Sequence, residues 1–181
     1  MPTINMKTLS SKQLFLLIGN NNTGKTTVQK TIIKLLCGLE YDKLRTNKLV
    51  PISNICLLRM ADNIFFANRS FQEKFEEYKS VSNYFEKYFK NADIAILSSH
   101  LDISDIEEMI LEAKKHFYNV TGVFFSNSIE NDSVLNSNIS ALNWDERIVL
   151  DNPQSSSQVE IENQLNKISE EISIHIIKKL S

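Results

Sequence analysis

A short apolar run ending in glycine, Gln13–Gly19 (QLFLLIG), passes straight into Asn20-Asn21-Asn22-Thr23-Gly24-Lys25-Thr26, and a run of helical period follows without a break. Continuous apolar character over so few residues marks a strand buried on both faces, and such strands belong to parallel sheets covered by helices on each side. The next segment, from about Lys25 to Leu39, places Val28, Ile32, Leu35, Leu36 and Leu39 on one helical face, and Gly38 suits a carboxy-terminal cap. A buried strand, a tight loop and an amphipathic helix in immediate succession restrict the chain to an α/β architecture.

The loop itself is chemically specific. Gly19, Gly24, Lys25 and Thr26 follow the spacing G-x-x-x-x-G-K-[ST]. A backbone wrapped around a phosphate chain must turn several N–H groups inward, which needs glycine where φ is positive or the main chain approaches closely. The chain holds four glycines, and two of them stand in this motif. A helix starting near Lys25 points its positive end at the same place.

In these residues the sequence resembles the P-loop NTPase superfamily through its Walker A motif. The resemblance implies a three-layer α/β/α fold with a mostly parallel central sheet and magnesium-nucleotide bound at its carboxyl edge. It implies that Gly19, Asn20, Asn21, Asn22, Thr23, Gly24, Lys25, Thr26 and Thr27 cradle the phosphates. Lys25 would meet the β- and γ-phosphate oxygens, and the Thr26 hydroxyl would ligate Mg2+. The motif identifies the superfamily and says little about the branch.

Further along, Tyr41–Ser53 is polar, basic and interrupted by Pro51, and reads as loop. Two apolar runs, Ile55–Met60 and Ile64–Ala67, flank Ala61-Asp62-Asn63 as in a hairpin. Ser70-x-x-Glu73 has the capping-box pattern and opens a helix to about Phe89, with Phe71, Phe75, Tyr78, Phe85 and Phe89 as a core stripe. Asp93–Ser98 and Asn119–Phe125 read as buried strands around a helix opened by Ser104-x-x-Glu107 and lined by Ile106, Ile110, Ala113 and Phe117. Strand, helix, strand with short joints is a parallel βαβ unit. Ser126–Ser140 reads as a surface loop or lid, Arg147–Leu150 as a last strand, Asp151–Ser157 as a linker and Val159–Leu180 as a closing helix. All 181 residues are expected to form one domain.

The superfamily's second landmark, an acidic residue ending a buried strand, has no clear counterpart. Asp93 stands at the wrong end, roughly 16 Å from the carboxyl end at ~3.3 Å per residue. Beyond that end, Ser98 and Asp102 are candidates for the metal's shell, and His100 for sensing the γ-phosphate or orienting water; the alternative is an ordinary strand-to-helix loop with Asp102 or Ser104 as the helix cap. Asp62 rivals them only if Ile55–Met60 is a parallel strand. Arg69 and Arg147 are candidate charge stabilisers, each with a surface or packing role as the alternative, and Trp144 either borders a base pocket or packs. No guanine-reading N-K-x-D segment appears, which favours ATP.

Net charge is −2, so no global basic field points to nucleic acid or a membrane surface. Cys37 and Cys56 lack metal-ligand spacing and read as buried free thiols. Without an apolar leader or a membrane-length run, a cytoplasmic protein is expected. The leading expectation is an ATPase whose conformation is read by a partner protein. A small-molecule or nucleotide kinase is the alternative, although the 126–140 segment has no Lys or Arg and no Asp-Arg pair occurs. A non-enzymatic nucleotide sensor is the third.

Overall fold

The computed structural model describes residues 11–53 and 61–180. The strands β1 (Lys12–Ile18), β2 (Lys48–Pro51), β3 (Asn63–Ala67), β4 (Ile94–Ser99), β5 (Tyr118–Phe125) and β6 (Glu146–Leu150) form one sheet in the order β2-β3-β4-β1-β5-β6. Only β2 runs antiparallel, against β3 at the sheet edge; the remaining pairs are parallel. The apolar run of β1 is therefore central, between β4 and β5, as its two-sided burial requires.

Strand pleating sends alternate residues to two cores. Leu14, Leu16, Ala95, Leu97 and Phe124 face one side, where they meet α3 (Val81–Lys87), α4 (Ile103–Lys115) and α6 (Ser133–Ser140) through Phe85, Ile110 and Ile139. Phe15, Leu17, Ile96 and Phe125 face the other, against α1 (Lys25–Cys37) and α7 (Gln158–Leu180) through Val28, Ile32, Leu36, Ile168 and Ile172. The result is an α/β/α arrangement of three layers, with α1 and α4 leaving neighbouring strands toward opposite faces.

Several local expectations need correction. Helix α1 ends at Cys37, with Gly38 in the left-handed region donating to Lys34 O, and it buries Ile33 while Leu35 and Leu39 stay exposed. The expected loop at 41–53 contains β2, because Val50 can reach the core beside β3. The Ile55–Met60 strand lies outside the described residues, and the hairpin partner of β3 is β2. The expected helix 70–89 is broken into a 3-10 turn (Gln72–Lys74), α2 (Phe75–Tyr78) and α3. Lys79 adopts φ 66°, and Ser80 Oγ then caps α3 by accepting the Asn83 N–H. Of the aromatic stripe, Phe75 is exposed and the others are buried.

Asp102, not Ser104, caps α4 by accepting the Asp105 N–H at 3.0 Å, and Phe117 lies beyond that helix, exposed. The 126–140 segment is not a loop. It forms α5 (Ser126–Asn131) and α6, held by Asp132 as a cap and by buried Asn136 donating to Ser128 O and Asp132 O. Polar residues satisfied by one another build these helices, so apolar periodicity fails to announce them.

Candidate functional site

All strands but β2 point their carboxyl ends to one edge, and ligands of such sheets sit beyond that edge where connections diverge to opposite faces. That divergence falls between β1 and β4. The Gly19–Thr26 loop and the 100–102 loop accordingly meet there: Gly19 N donates to Ser99 O at 3.1 Å, and Leu101 N donates to Asn20 Oδ1 at 3.4 Å.

The loop is tightly constructed. Asn22 and Gly24 both have positive φ, 66° and 102°. A Cβ at Gly19 would stand 2.8 Å from Thr23 Oγ1, whose hydroxyl donates to Asn20 O at 3.0 Å. No side chain caps the amino end of α1, which leaves its first-turn N–H groups facing the cleft. Lys25 is nearly fully buried beneath the loop. Its Nζ donates to Gly19 O and, at 2.7 Å, to Asn20 O. Burial lowers its pKa to about 8, with the charge of Glu73 acting in the opposite direction.

Gly24→Ala provides a direct test of this geometry. A side chain at φ 102° is strained, and a Cβ there collides with Leu165 Cδ2 on α7. Because the Leu165 tip can swing away, the backbone strain dominates, and a loss of about 1–3 kcal/mol is expected. Thermal denaturation showing an unchanged melting temperature would contradict the strained geometry.

Beside the loop opens a cleft of about 1130 Å³, whose lining includes Thr26, Thr27, Arg69 and Glu73. Glu73 is a carboxylate that the sequence pattern presents only as half of a capping box. Ser70 Oγ does accept its N–H at 3.3 Å, but the carboxylate does not return to the Ser70 backbone. Instead Glu73 Oε2 accepts from Arg69 Nη1 at 2.7 Å, and Oε1 lies 3.3 Å from His100 Nε2. Burial alone would raise the Glu73 pKa; the hydrogen bond and charge of Arg69, with His100 and Ser70, outweigh it and lower the pKa. His100 is shifted down, first by burial and then by the charge of Lys25, while Glu73 opposes the shift. Its Nε2 is buried and stands at ion-pair distance from Glu73 without hydrogen-bond geometry.

Gln72 fixes this arrangement. It accepts the His100 N–H at 3.2 Å and donates to Asp105 Oδ2 at 2.8 Å, tying the segment after β3 to the loop after β4. The structure thus brings Lys25, His100, Glu73 and Arg69 to one place. Ser98 is turned toward α1, where its hydroxyl accepts from Gln29 Nε2 at 3.0 Å, and Asp102 is engaged by the α4 backbone and Ser104. Asp93 and Asp62 lie together at the opposite edge, with Asp93 Oδ2 accepting the Asp62 N–H at 2.7 Å. Trp144 packs on Phe124 and Gly122 and donates to Ile139 O, while Arg147 bonds Ser140 O.

A second pocket of about 290 Å³ shares Asn21–Gly24 with the cleft and adds amides from Asn127, Asn131, Asn152, Gln154 and Gln164. Asn152 and Asn127, after β6 and β5, both donate to Thr23 O, at 3.0 and 3.5 Å. Their sequence signal, an asparagine just beyond each strand end, becomes visible only when the two strands are known to be parallel neighbours. Cys37 is a buried free thiol with its pKa raised to about 11 by burial, while Cys56 lies outside the described residues. Among the described residues no helix is long and apolar enough to cross a membrane, and no cluster of three His, Cys, Asp or Glu side chains could hold a metal ion. Compared with known proteins, the sequence matches no family model and no curated protein.

Proposed function

We propose that this protein binds a magnesium–nucleoside triphosphate, with ATP as the nucleotide, at the Gly19–Thr26 loop and hydrolyses it, the change of state being read by a partner protein. One observation carries the reading. A buried ammonium, Lys25, bonds only oxygens of its own loop beneath an uncapped helix end, with positive φ at Asn22 and Gly24. That arrangement suits a bound polyanion, which would replace the loop oxygens as the lysine's partners and accept from the open N–H groups.

The exposed Thr26 hydroxyl lines the cleft and fits a magnesium ion that keeps most of its shell from phosphate oxygens and water. When bound, the ion would neutralise phosphate charge. In hydrolysis, a water oxygen bonds the γ-phosphorus while the bond to the β–γ bridging oxygen breaks. Glu73 is the carboxylate suited to take the water's proton, and His100, whose buried Nε2 lies 3.3 Å from Glu73 Oε1, is suited to hold that carboxylate in place. The amide-lined pocket supports a base site built on hydrogen-bond donors and acceptors without a carboxylate, in keeping with ATP.

The kinase alternative is favoured by one feature, a cleft whose volume lies just above the ~300–1,000 Å³ range that holds a drug-sized ligand. Titration calorimetry with Mg-ATP and Mg-GTP, followed by phosphate release with and without candidate acceptors, tests both readings. Thr26→Ala is expected to weaken binding several-fold more in magnesium than in EDTA, because the hydroxyl serves the ion. Equal losses in the two conditions would remove Thr26 from the metal's shell.

A further inference from the structure

The cleft beside the Gly19–Thr26 loop extends along a wall made by residues 42–46 with Arg69, Glu73 and Lys74, which carries more cations than carboxylates in a chain of net charge −2. Its lining includes Lys30, Lys43, Arg45, Arg69 and Lys74, against Asp42 and Glu73. Most of these cations already have partners. Lys30 donates to Asp42 O at 2.5 Å, Arg69 pairs with Glu73 and Lys74 with Glu77.

Lys43 and Arg45 differ. Both are exposed on the cleft, and among the described residues neither makes a hydrogen bond or an ion pair. Their position is nonetheless held. Leu44 between them is buried in the α1 core, and its carbonyl accepts from Asn68 Nδ2 at 3.1 Å. An anchored residue thus presents two unpaired cations into the same cleft of about 1130 Å³ that the Gly19–Thr26 loop borders. Like charges one residue apart on either side of a fixed point repel, and an anion between them relieves the repulsion.

We propose that Lys43 and Arg45 form a second anion site in this cleft, which binds the phosphate of a small phosphate monoester while the nucleoside triphosphate occupies the Gly19–Thr26 loop. The inference rests on the nucleotide reading above. Arg45 supplies a planar fork for two phosphate oxygens and Lys43 a point charge. The cluster is too confined for a nucleic-acid track, which needs a basic groove continuing along the surface.

The test begins with full-length protein saturated with Mg-AMPPNP, whose binding is measured first by calorimetry. The loaded protein is then titrated with inorganic phosphate, with 5′-nucleoside monophosphates and with the matching unphosphorylated nucleosides. Phosphate-bearing probes are expected to bind and nucleosides to bind far more weakly. Lys43→Gln/Arg45→Gln should weaken the monophosphates by about a hundredfold, roughly tenfold for each charge removed, and leave Mg-AMPPNP affinity within about twofold. The inference is overturned if loaded wild-type protein binds no phosphate-bearing probe, or binds it equally well after the double substitution. It is also overturned if the substitution chiefly weakens Mg-AMPPNP, which would assign both residues to the triphosphate, or if only a single-stranded oligonucleotide binds the loaded protein. Failure of Mg-AMPPNP to bind wild-type protein at the outset removes the nucleotide reading, and this inference with it.

Discussion

Lys25→Met is expected to reduce Mg-ATP affinity by about a hundredfold or more, the order expected when a charge-assisted hydrogen bond to phosphate is removed from a buried site, while the empty protein keeps its fold. The same substitution should leave the melting temperature of the ligand-free protein unchanged or higher. Lys25 has a pKa near 10.5 unfolded and about 8 folded, so the folded state binds fewer protons between those values. At pH 7 its buried charge therefore costs up to about 3 kcal/mol, partly offset by the loop carbonyls, and the cost shrinks as pH rises from 8 toward 10.5. Methionine of similar length removes the charge and fills the space. Phosphate bound at this loop would return a counter-charge to Lys25 and raise its pKa in the complex. Affinity should hence be flat below about pH 8 and fall by up to about tenfold per pH unit above it, with proton uptake on binding at about pH 8.5. Calorimetry in buffers of different ionisation enthalpy reads that uptake. Undiminished Mg-ATP affinity in Lys25→Met would falsify the assignment of the loop.

Glu73→Gln is expected to slow ATP hydrolysis by about a hundredfold, the lower range for losing a general base, with ADP affinity nearly unchanged. His100→Ala should slow it by about tenfold or more, with ADP again unaffected because ADP lacks the group being attacked. Turnover alone does not separate a catalytic carboxylate from one that merely holds Arg69, so the pH–rate profile is the second readout: a catalytic Glu73 gives an acidic limb that Glu73→Gln removes. Glu73 opposes the downward shift of His100, and removing its charge should lower the His100 pKa further in the ring-proton NMR titration. Asp93→Asn, at the other edge of the sheet, serves as the control and should leave turnover as it is. Normal hydrolysis in Glu73→Gln would return the proton-accepting role to another group in the cleft.

Other residues on this face of the molecule bear on the same point. Gln72 is the brace between the His100 loop and Asp105, and Gln29 holds α1 to β4 through Ser98 and to β3 through Ala67 O. These glutamines set where the two loops stand relative to one another. Their sequence neighbourhoods, Phe71-Gln72-Glu73 and Val28-Gln29-Lys30, show nothing unusual. The bonds they make join positions 27 to 69 residues apart in the chain.

The central strand, the glycine-bearing loop and helix α1 are legible in the sequence, because each depends on neighbours along the chain. Apolar continuity marks β1, β4 and β5, and Gly38 marks the end of α1 through its left-handed conformation. Folding decided what depended on distant partners. Edge strand β2 exists because β3 offers it a ladder, and α5 and α6 exist because Asp132 and Asn136 find backbone partners that satisfy otherwise unremarkable polar residues. The break at Lys79 divides an aromatic run whose spacing alone would suit one continuous helix, and thereby turns Tyr78, Tyr84 and Phe85 into one core. The candidate site divides the same way. Lys25 and Thr26 follow from local spacing, and His100 from its place just beyond a buried strand. Glu73 has no such local signal, because its role depends on a turn after β3 packing against a loop after β4. Whether this carboxylate meets the His100 imidazole is decided by strand order, and strand order is set by which buried faces fit together.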